Sequence, residues 1–387
     1  MRLTRGLTRA TARRLVRTGT LGRPSAETSM LKKLKLHRFR YIKPGTELMF
    51  TEHFNVLLGR NGTGKTTLLD LISMVLRSNF AALREEEFDV EYELSDNRGT
   101  GFVRFENRVK PPSSPIPGVS TSRGKPYRHH PHVKVKLQRT SDELEFEIEG
   151  SAARWRQDGG AWEGKDVGED VYQMPWLDLL AGWPTDDSSG MCAYRFDESL
   201  EVFESITSSD DGRMPKPGRA PLIHLETRAD GLMMRLTFVP IAYTPTLPGP
   251  GQPSAKIDLP PGSSLARFPA LTDTKDISMS VSVEGSRQEP DGLWWTFGRA
   301  EFLFSRARGV VFNHNALSYG QKRLLAFLYY LDANPAFVVA DELVNGMHHD
   351  WIRASLDEIG KRQAFLTSQN PLLLDYLPLE SVEQIQK

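Results

Sequence analysis

A glycine-rich segment near the start of the chain has the residue types and spacing of a phosphate-binding loop. It fits G-x-x-x-x-G-K-[ST] at every position, follows the apolar run 54–58 and precedes the helical pattern 66–76. Main-chain N–H groups of such a loop surround phosphate oxygens, and the following helix adds its positive dipole end. We expect Lys65 to reach the β- and γ-phosphates and the Thr66 hydroxyl to ligate Mg²⁺. The expected nucleotide contacts are Gly59, Arg60, Asn61, Gly62, Thr63, Gly64, Lys65, Thr66 and Thr67.

A second motif lies far downstream, where the apolar run 337–340 is followed by two carboxylates. The apolar residues predict a buried strand whose end delivers both carboxylates to the phosphates. Asp341 is expected to hold Mg²⁺, directly or through water. Glu342 is expected to orient and deprotonate the attacking water.

A third motif precedes the acidic strand and marks the start of a helix. Ser318 and Gln321 have the S-x-x-Q spacing of a capping box. An exposed helix N-terminus that carries a serine hydroxyl and a glycine is also an anion site. We therefore predict that Ser318, Tyr319, Gly320 and Gln321 bind the γ-phosphate of a nucleotide held by another subunit.

The elements around these motifs predict an α/β fold. Apolar residues alternate with polar ones over several segments, which predicts an antiparallel β-meander with one wet face. The alternating segments are 88–94, 102–105, 133–137 and 144–148. From residue 300 onward the pattern changes to helix and buried strand, with helical apolar spacing over 318–332. The predicted fold class is a P-loop NTPase head, a mixed sheet with flanking helices, that carries an antiparallel β-lobe and an inserted irregular lobe.

The predicted domain organisation is discontinuous, because the phosphate loop and the acidic strand lie far apart in the chain. The nucleotide-binding core takes residues 30–78 and 300–387, the antiparallel β-lobe 79–150, and an inserted lobe of unknown role 151–299. Residues 1–29 carry seven arginines and one acid, Glu27, and resemble an organellar transit peptide. We favour instead a disordered basic extension, or sequence upstream of a true start at Met30.

The composition indicates the cellular environment of the protein but does not identify its partner. Lysine and arginine together number 49, as do aspartate and glutamate, so the formal net charge is zero. That balance neither supports nor excludes a local basic patch for nucleic acid. The single cysteine, Cys192, excludes an internal disulfide and favours a cytoplasmic protein. No stretch approaches the roughly 18–20 apolar residues of a membrane span, so we expect no direct membrane insertion.

The three motifs, in this order, resemble the ABC-type ATPase family, with its Walker A loop, LSGGQ-like signature and Walker B strand. Residues 345–348 resemble the D-loop of that family, and residues 364–375 resemble its switch segment. Tyr319 stands where the signature usually has glycine, and Gln369 where the switch usually has histidine. Glutamine can hydrogen-bond a phosphate oxygen or the attacking water but carries no positive charge, which leaves the turnover rate open.

The opening of the core, residues 30–78, looks like that of RecF/SMC-like and OLD-like ATPases and unlike that of transporter subunits. The resemblance covers 30–78 and 300–377. It implies ATP and Mg²⁺ as cofactors, hydrolysis to ADP and phosphate, and catalytic roles for Glu342, Lys65 and Gln369. It also implies a homodimer or higher homo-oligomer in which ATP closes two copies into a sandwich.

Three biological roles are compatible with this resemblance. The chain looks most like stand-alone ATPases without a nuclease domain, which act beside effector proteins in anti-phage defence. We therefore expect a protein effector, a nuclease or toxin, in trans. The alternatives are a DNA-binding repair or maintenance ATPase and, disfavoured by the long separation between Walker A and signature, an ATPase subunit of a membrane transporter.

Some assignments stay open at this point. The family places the nucleotide base near Phe39 and Arg40. Its Q-loop glutamine has three candidates: Gln138, Gln157 and Gln173. Three histidines in a proline-rich segment are interpreted as loop residues without a metal: His129, His130 and His132.

Overall fold

The computed structural model of the protein divides the chain into two compact units. The first unit comprises Met1–Glu52, Met74–Pro184 and Glu380–Lys387, and the second comprises His53–Ser73 and Thr185–Leu379. The structure describes residues 30–96, 99–110, 128–139, 142–150, 152–166, 172, 195–197, 223–228, 231–235, 244–246, 253–259, 261–289, 292–306, 309–334, 336–369 and 371–377. The N-terminal residues 1–29 and Gln173 therefore lie outside the described part.

The first unit is built on an eight-stranded antiparallel sheet. Its strands are β1 (Met30–Phe39), β2 (Thr46–Met49), β4 (Phe88–Asp96), β5 (Gly99–Lys110), β6 (Arg128–Arg139), β7 (Glu143–Glu149), β8 (Ala152–Gln157) and β9 (Glu163–Asp166). Their order is β2-β1-β4-β5-β6-β7-β8-β9. From β4 to β9, consecutive strands are neighbours, so the predicted antiparallel meander is confirmed.

Period-two alternation explains why this sheet has one buried and one wet face. Val103 and Phe105 of β5 and Val135 of β6 are buried. Between the two β5 residues, Arg104 points to the other side, where its guanidinium donates to the Asp89 carboxylate at 2.7 Å. The hydrophobic residues thus face the core while charged residues pair across strands on the opposite face.

The second unit contains a three-stranded parallel sheet that joins the phosphate loop to the acidic motif. Its strands are β3 (Phe54–Leu58), β17 (Phe337–Ala340) and β18 (Gln363–Ser368), in the order β17-β18-β3. Both neighbouring pairs are parallel. Parallel strands end at the same edge, so the residues that follow all three strands gather there.

Burial differs between the strands of this parallel sheet. Every residue of β17 and β18 is buried, whereas β3 is partly buried and Leu58 is 49% exposed. The sequence predicted a buried strand before the phosphate loop. β3 is less buried than this prediction although β17, the other edge strand of the sheet, is fully buried.

A seven-stranded antiparallel sheet occupies much of the region that the sequence predicted to be irregular. Its strands are β10 (Ile223–Arg228), β11 (Gly231–Arg235), β12 (Thr244–Thr246), β13 (Ser254–Asp258), β14 (Asp276–Glu289), β15 (Gly292–Ser305) and β16 (Val311–Asn313). The order is β11-β10-β15-β14-β13-β12, with β16 also on β15. Register shifts beside Val283 interrupt the β14–β15 hairpin, and such bulges break the period-two pattern that sequence analysis depends on.

Four α-helices are described: α1 (Lys65–Arg77), α2 (Phe268–Leu271), α3 (Tyr319–Ala333) and α4 (His349–Ile359). Helix α3 is buried on several sides, because every side chain from Leu324 to Leu331 is buried. It is also tied to β17, since the Tyr330 hydroxyl accepts a hydrogen bond from the Val339 amide at 2.9 Å. The helix predicted over 318–332 is thus present and supports the acidic strand.

Two features differ from the sequence-based expectations. The strand β1, which was grouped with the nucleotide-binding core, pairs along its length with β4 of the meander. The histidines at 129, 130 and 132, interpreted as loop residues, lie in β6. The predicted domain boundaries themselves stay a prediction.

Candidate nucleotide site

The phosphate loop connects β3 to α1 and has the main-chain geometry that its glycines permit. Gly62 and Gly64 have φ angles of +74° and +88°, in the left-handed region that favours glycine. The loop is also tight at its start, because a methyl group on Gly59 would lie 2.7 Å from the Thr63 hydroxyl oxygen. The glycine positions of the motif are therefore required by the conformation of the loop.

The ammonium group of Lys65 lies on this loop. It donates hydrogen bonds to the carbonyl oxygens of Gly59 at 2.9 Å and Arg60 at 3.2 Å. Lys65 is the first residue of α1. Its positive charge therefore lies at the N-terminus of the helix, which is also the positive end of the helix dipole. This arrangement favours an anion at the loop.

Asp341 brings three elements of the second unit together. Its Oδ2 accepts a hydrogen bond from the Thr66 hydroxyl at 2.7 Å, although the two residues are 275 positions apart. Its Oδ1 accepts from the Thr367 hydroxyl at the end of β18. The structure therefore joins two of the sequence-predicted metal ligands, Thr66 and Asp341, at the shared strand edge.

These two residues fit Mg²⁺ as a donor set. Mg²⁺ prefers oxygen ligands and is commonly held by one or two carboxylates together with substrate phosphates. A hydroxyl and a carboxylate in direct contact beside a phosphate loop supply two such oxygens. Thr66 and Asp341 would hold the ion while the phosphates complete its coordination.

Glu342 has an unusual backbone that three hydrogen bonds hold. Its φ angle is +51°, which residues other than glycine rarely adopt. Its amide donates to the Thr367 hydroxyl at 3.1 Å, and its carbonyl accepts from the Asn345 amide at 3.1 Å and from Arg323 at 2.9 Å. The carboxylate accepts from the Asn345 side chain at 3.3 Å. The orientation of this carboxylate is thus set from both sides of the peptide.

The predicted capping box at the start of α3 is confirmed. The Ser318 hydroxyl accepts from the Gln321 amide at 3.3 Å, and the Gln321 side chain accepts from the Ser318 amide at 2.9 Å. Ser318 and Tyr319 are nevertheless exposed. The serine that caps the helix therefore also presents its oxygen at the surface.

The signature glycine packs tightly within its own chain. A methyl group on Gly320 would lie 2.7 Å from the Gly346 carbonyl oxygen and 3.0 Å from the Trp351 ring. The sequence interpretation reserved this glycine for close approach of an anion. In the structure, the residue that approaches it is Gly346 of the D-loop-like segment, so the two motifs form one packed seam.

The remaining predicted positions are less constrained. Gln369 follows β18 at the shared strand edge and is exposed. Phe39 is 2% exposed, so its ring is not available to stack on a base, and Arg40 pairs with Glu86 through two bonds of 2.8 Å. Gln138 and Gln157 lie in the meander and donate to carboxylates. The Q-loop glutamine stays unassigned.

Two residues of the site were missed by the sequence analysis. Thr367 bridges Asp341 and the Glu342 amide, and Arg323 binds the Glu342 carbonyl. A signal for Arg323 existed, because an arginine directly before the apolar stretch of a buried helix needs partners inside the protein. For Thr367, the only sequence signal was its position in the switch-like segment.

Family models match two regions of the chain. A model described as "AAA domain" matches residues 33–156, which include the phosphate loop. A model described as "AAA domain, putative AbiEii toxin, Type IV TA system" matches residues 250–375, which include the signature, the acidic strand and the switch-like segment. No curated protein sequence is significantly similar to this chain.

Solved structures that match include heads of SMC proteins. The SMC head domain from Thermotoga maritima has 12% identity and a TM-score of 0.36, covering 89% of this chain and 91% of that one. An SmcHead bound to the C-winged helix domain of ScpA has 15% identity and a TM-score of 0.39, covering 89% and 92%. A third match is an Smc head with an extended coiled coil, bound to the C-terminal domain of ScpA derived from Pyrococcus furiosus. It has 12% identity and a TM-score of 0.38, covering 90% of this chain and 92% of that one. At these TM-scores the likeness supports no inference about function.

AAA-domain models match both regions that carry the motifs, with the phosphate loop in one region and the signature and acidic strand in the other. Together with the motif geometry, these matches support a P-loop ATPase of the ABC type and, within that class, a RecF/SMC-like ATPase. Among the described residues, no helix is long and apolar enough to cross a membrane.

Proposed function

We propose that this protein hydrolyses ATP with Mg²⁺ and that ATP closes two copies into a sandwich that controls a protein effector. The observation that carries the hydrolysis is the contact between Thr66 and Asp341, with Glu342 next in the chain. It joins the phosphate loop to the acidic motif at one strand edge. A phosphate loop that bound only a structural nucleotide would not need a second carboxylate there.

Each residue has a defined role in the proposed reaction. Phosphate oxygens lie in the loop 59–67, and the Lys65 ammonium binds the β- and γ-phosphates. When bound, Mg²⁺ neutralises charge on these oxygens. The Glu342 carboxylate orients a water molecule and accepts its proton as the oxygen attacks the γ-phosphorus, and the bond to the ADP oxygen breaks. The exposed Gln369 hydrogen-bonds the γ-phosphate or this water.

The proposed sandwich rests on the exposure of the signature. Ser318 and Tyr319 are exposed at the start of α3, and Asn345 and Gly346 are exposed beside them. A helix N-terminus with an exposed serine hydroxyl, which can still donate a hydrogen bond while it caps the helix, suits the γ-phosphate of a nucleotide bound by a second copy. ATP would therefore join two copies, and hydrolysis would release them.

The first test is the molar mass in solution by light scattering, with phosphate release measured in parallel. Glu342→Gln should reduce turnover to a small residual rate and become dimeric only with ATP and Mg²⁺. Ser318→Arg should bind ATP like the wild type but stay monomeric, because the added side chain blocks the signature surface. A mass that ignores ATP, together with no phosphate release by the wild type, would refute the proposal.

The effector role is supported by the second matched family, which is described as a putative AbiEii toxin of a type IV TA system. The test is co-expression with the product of the neighbouring gene, using wild type, Lys65→Ala and Glu342→Gln. Growth that depends on the nucleotide state supports effector control. ATP-dependent binding of duplex DNA by the protein alone would instead support a repair or maintenance ATPase.

A further inference from the structure

The guanidinium of Arg323 lies under the main chain of Glu342, at the point where its backbone has the unusual φ angle. Arg323 is 8% exposed. One nitrogen donates to the Glu342 carbonyl at 2.9 Å, and its Nε donates to the Leu343 carbonyl at 3.2 Å. The planar fork of an arginine suits two adjacent carbonyls, so this contact fixes the orientation of two successive peptides.

The other face of the guanidinium rests on an aromatic ring. The Phe196 ring lies 5.2 Å from the Arg323 guanidinium carbon and is itself fully buried. It packs edge-on against Phe327 at 5.2 Å. A cation held over a ring in a dry environment is attracted to it, so Phe196 keeps Arg323 in place.

Phe196 is held in turn by its neighbours in the chain. The Arg195 guanidinium pairs with Asp70 of α1 and with Asp197, and Arg195 forms a parallel bridge with Val339 of β17. The short segment 195–197 is therefore attached to the phosphate-loop helix and to the acidic strand. From this segment, the Phe196 ring reaches Arg323 of α3.

A left-handed φ at a glutamate costs about 1–2 kcal/mol and persists only where neighbouring groups enforce it. Three groups do so here: Thr367 and Asn345 from the switch-like and D-loop-like segments, and Arg323 from the signature helix. Without Arg323, the peptide can rotate toward an ordinary φ and carry the carboxylate away from the phosphate side.

We propose that Arg323 is a positioning residue for hydrolysis, which holds the Glu342 carboxylate in its productive orientation, and that Phe196 holds Arg323. The inference rests on the proposed ATPase function. It places a residue of the signature helix, and one from the middle of the chain, in control of the rate of the chemical step rather than of nucleotide binding.

The test compares steady-state ATP hydrolysis with the affinity for a fluorescent ATP analogue. Arg323→Met should lower kcat roughly 10–100-fold, as expected for a general base displaced by about 1 Å, with analogue affinity unchanged. Arg323→Lys should recover part of the loss, because lysine donates but has no fork. Phe196→Leu, which keeps an apolar side chain beside Arg323, should lower kcat less than Arg323→Met.

Arg362→Met is the matched control, because the partners of Arg362 among the described residues of the second unit are also main-chain carbonyls. Its partners include Asn334, Glu358 and Ile359, away from Glu342. It should lower stability but leave kcat per folded molecule unchanged. Should Arg323→Met not fold, Arg323→Lys and Phe196→Leu carry the test.

A double-mutant comparison separates positioning from a general structural effect. In a Glu342→Gln background, Arg323→Lys should cause no further loss of kcat, because it acts through Glu342. If the two substitutions lower kcat by factors that multiply, the inference is overturned while the ATPase function stands. The same conclusion follows if Arg323→Lys, Phe196→Leu and the wild type have equal kcat. Absence of turnover in the wild type overturns both.

Discussion

Gly320 of the signature lies against Gly346 of the D-loop-like segment, so closely that neither position has room for a larger residue. A methyl group on Gly346 would lie 2.5 Å from the Tyr319 ring, and one on Gly320 would lie 2.7 Å from the Gly346 carbonyl oxygen. Tyr319 as a whole residue is 64% exposed despite this contact. The seam therefore places two motifs of the proposed dimer surface at fixed positions relative to each other.

The seam predicts the effect of Gly346→Ala. Gly346 has φ +77°, so alanine is strained there and also collides with Tyr319. Gly262→Ala is the matched control, because Gly262 has φ +83° and a methyl group there would meet nothing within 4 Å. In urea denaturation, Gly346→Ala should lose more stability than Gly262→Ala.

Adding Tyr319→Ala to Gly346→Ala should remove the collision but not the backbone strain. The double variant should then approach the loss of Gly262→Ala, about 1–2 kcal/mol. Equal losses for Gly346→Ala with and without the tyrosine would show that the ring yields freely.

The backbone conformation of Glu342 predicts that glycine is tolerated better than alanine at this position, which is the reverse of the usual order. Alanine keeps the penalty of φ +51°, whereas glycine does not, so Glu342→Gly should be more stable than Glu342→Ala by about 1 kcal/mol. Thermal unfolding midpoints measure the difference. At Asp341, where no positive φ occurs, glycine should be the less stable of the pair.

The contact between Thr66 and Asp341 predicts how nucleotide affinity responds to Mg²⁺. Asp341→Asn keeps the shape of the side chain but removes the charge that would hold the ion. Affinity for a fluorescent ATP analogue in EDTA should be unchanged, while the gain on adding Mg²⁺ should fall at least tenfold, or roughly 1.4 kcal/mol. The exposed Asp350→Asn serves as control and should keep the full gain. An undiminished gain in Asp341→Asn would remove this residue from the metal site.

The first unit predicts a pH dependence of stability. Burial disfavours ionisation of Glu147, but hydrogen bonds from Arg154, His132 and Lys134 outweigh it and lower its pKa from 4.5 to about 2. Because the folded pKa lies below the unfolded one, this carboxylate stabilises the fold above pH 4.5, and the contribution is lost as pH falls toward 2. In urea denaturation, the stability lead of wild type over Glu147→Gln should shrink between pH 6 and pH 3. A lead that does not change with pH would contradict the lowered pKa.

The helices and strands with strong local signals could be predicted from the sequence. The alternation in β4 to β7 and the apolar spacing of α3 each reflect one buried face, which a single segment encodes. The capping box of Ser318 and Gln321 is local for the same reason. The long hairpin of β14 and β15 could be predicted only in part: residues 277–283 of β14 have a strand-like pattern, but the bulges beside Val283 shift the register and interrupt the alternation.

The site itself was only half accessible to the sequence. Motif spacing named the phosphate loop and the carboxylates, because the chemistry of phosphate binding demands those residue types in a fixed local order. The Thr367 bridge and the Arg323 fork depend on hydrogen bonds between segments that are 19 to 26 positions apart. No local pattern specifies such contacts.

The sequence alone thus determined the residues that bind phosphate and the order of the elements that carry them, since both are set by short-range geometry. Only the tertiary structure decided that Gly320 packs on Gly346 and that Phe39 is buried. It alone also showed that the backbone of Glu342 is held in a left-handed conformation. These features depend on side-chain packing and on hydrogen bonds between distant segments, which form only when the elements within each unit come together.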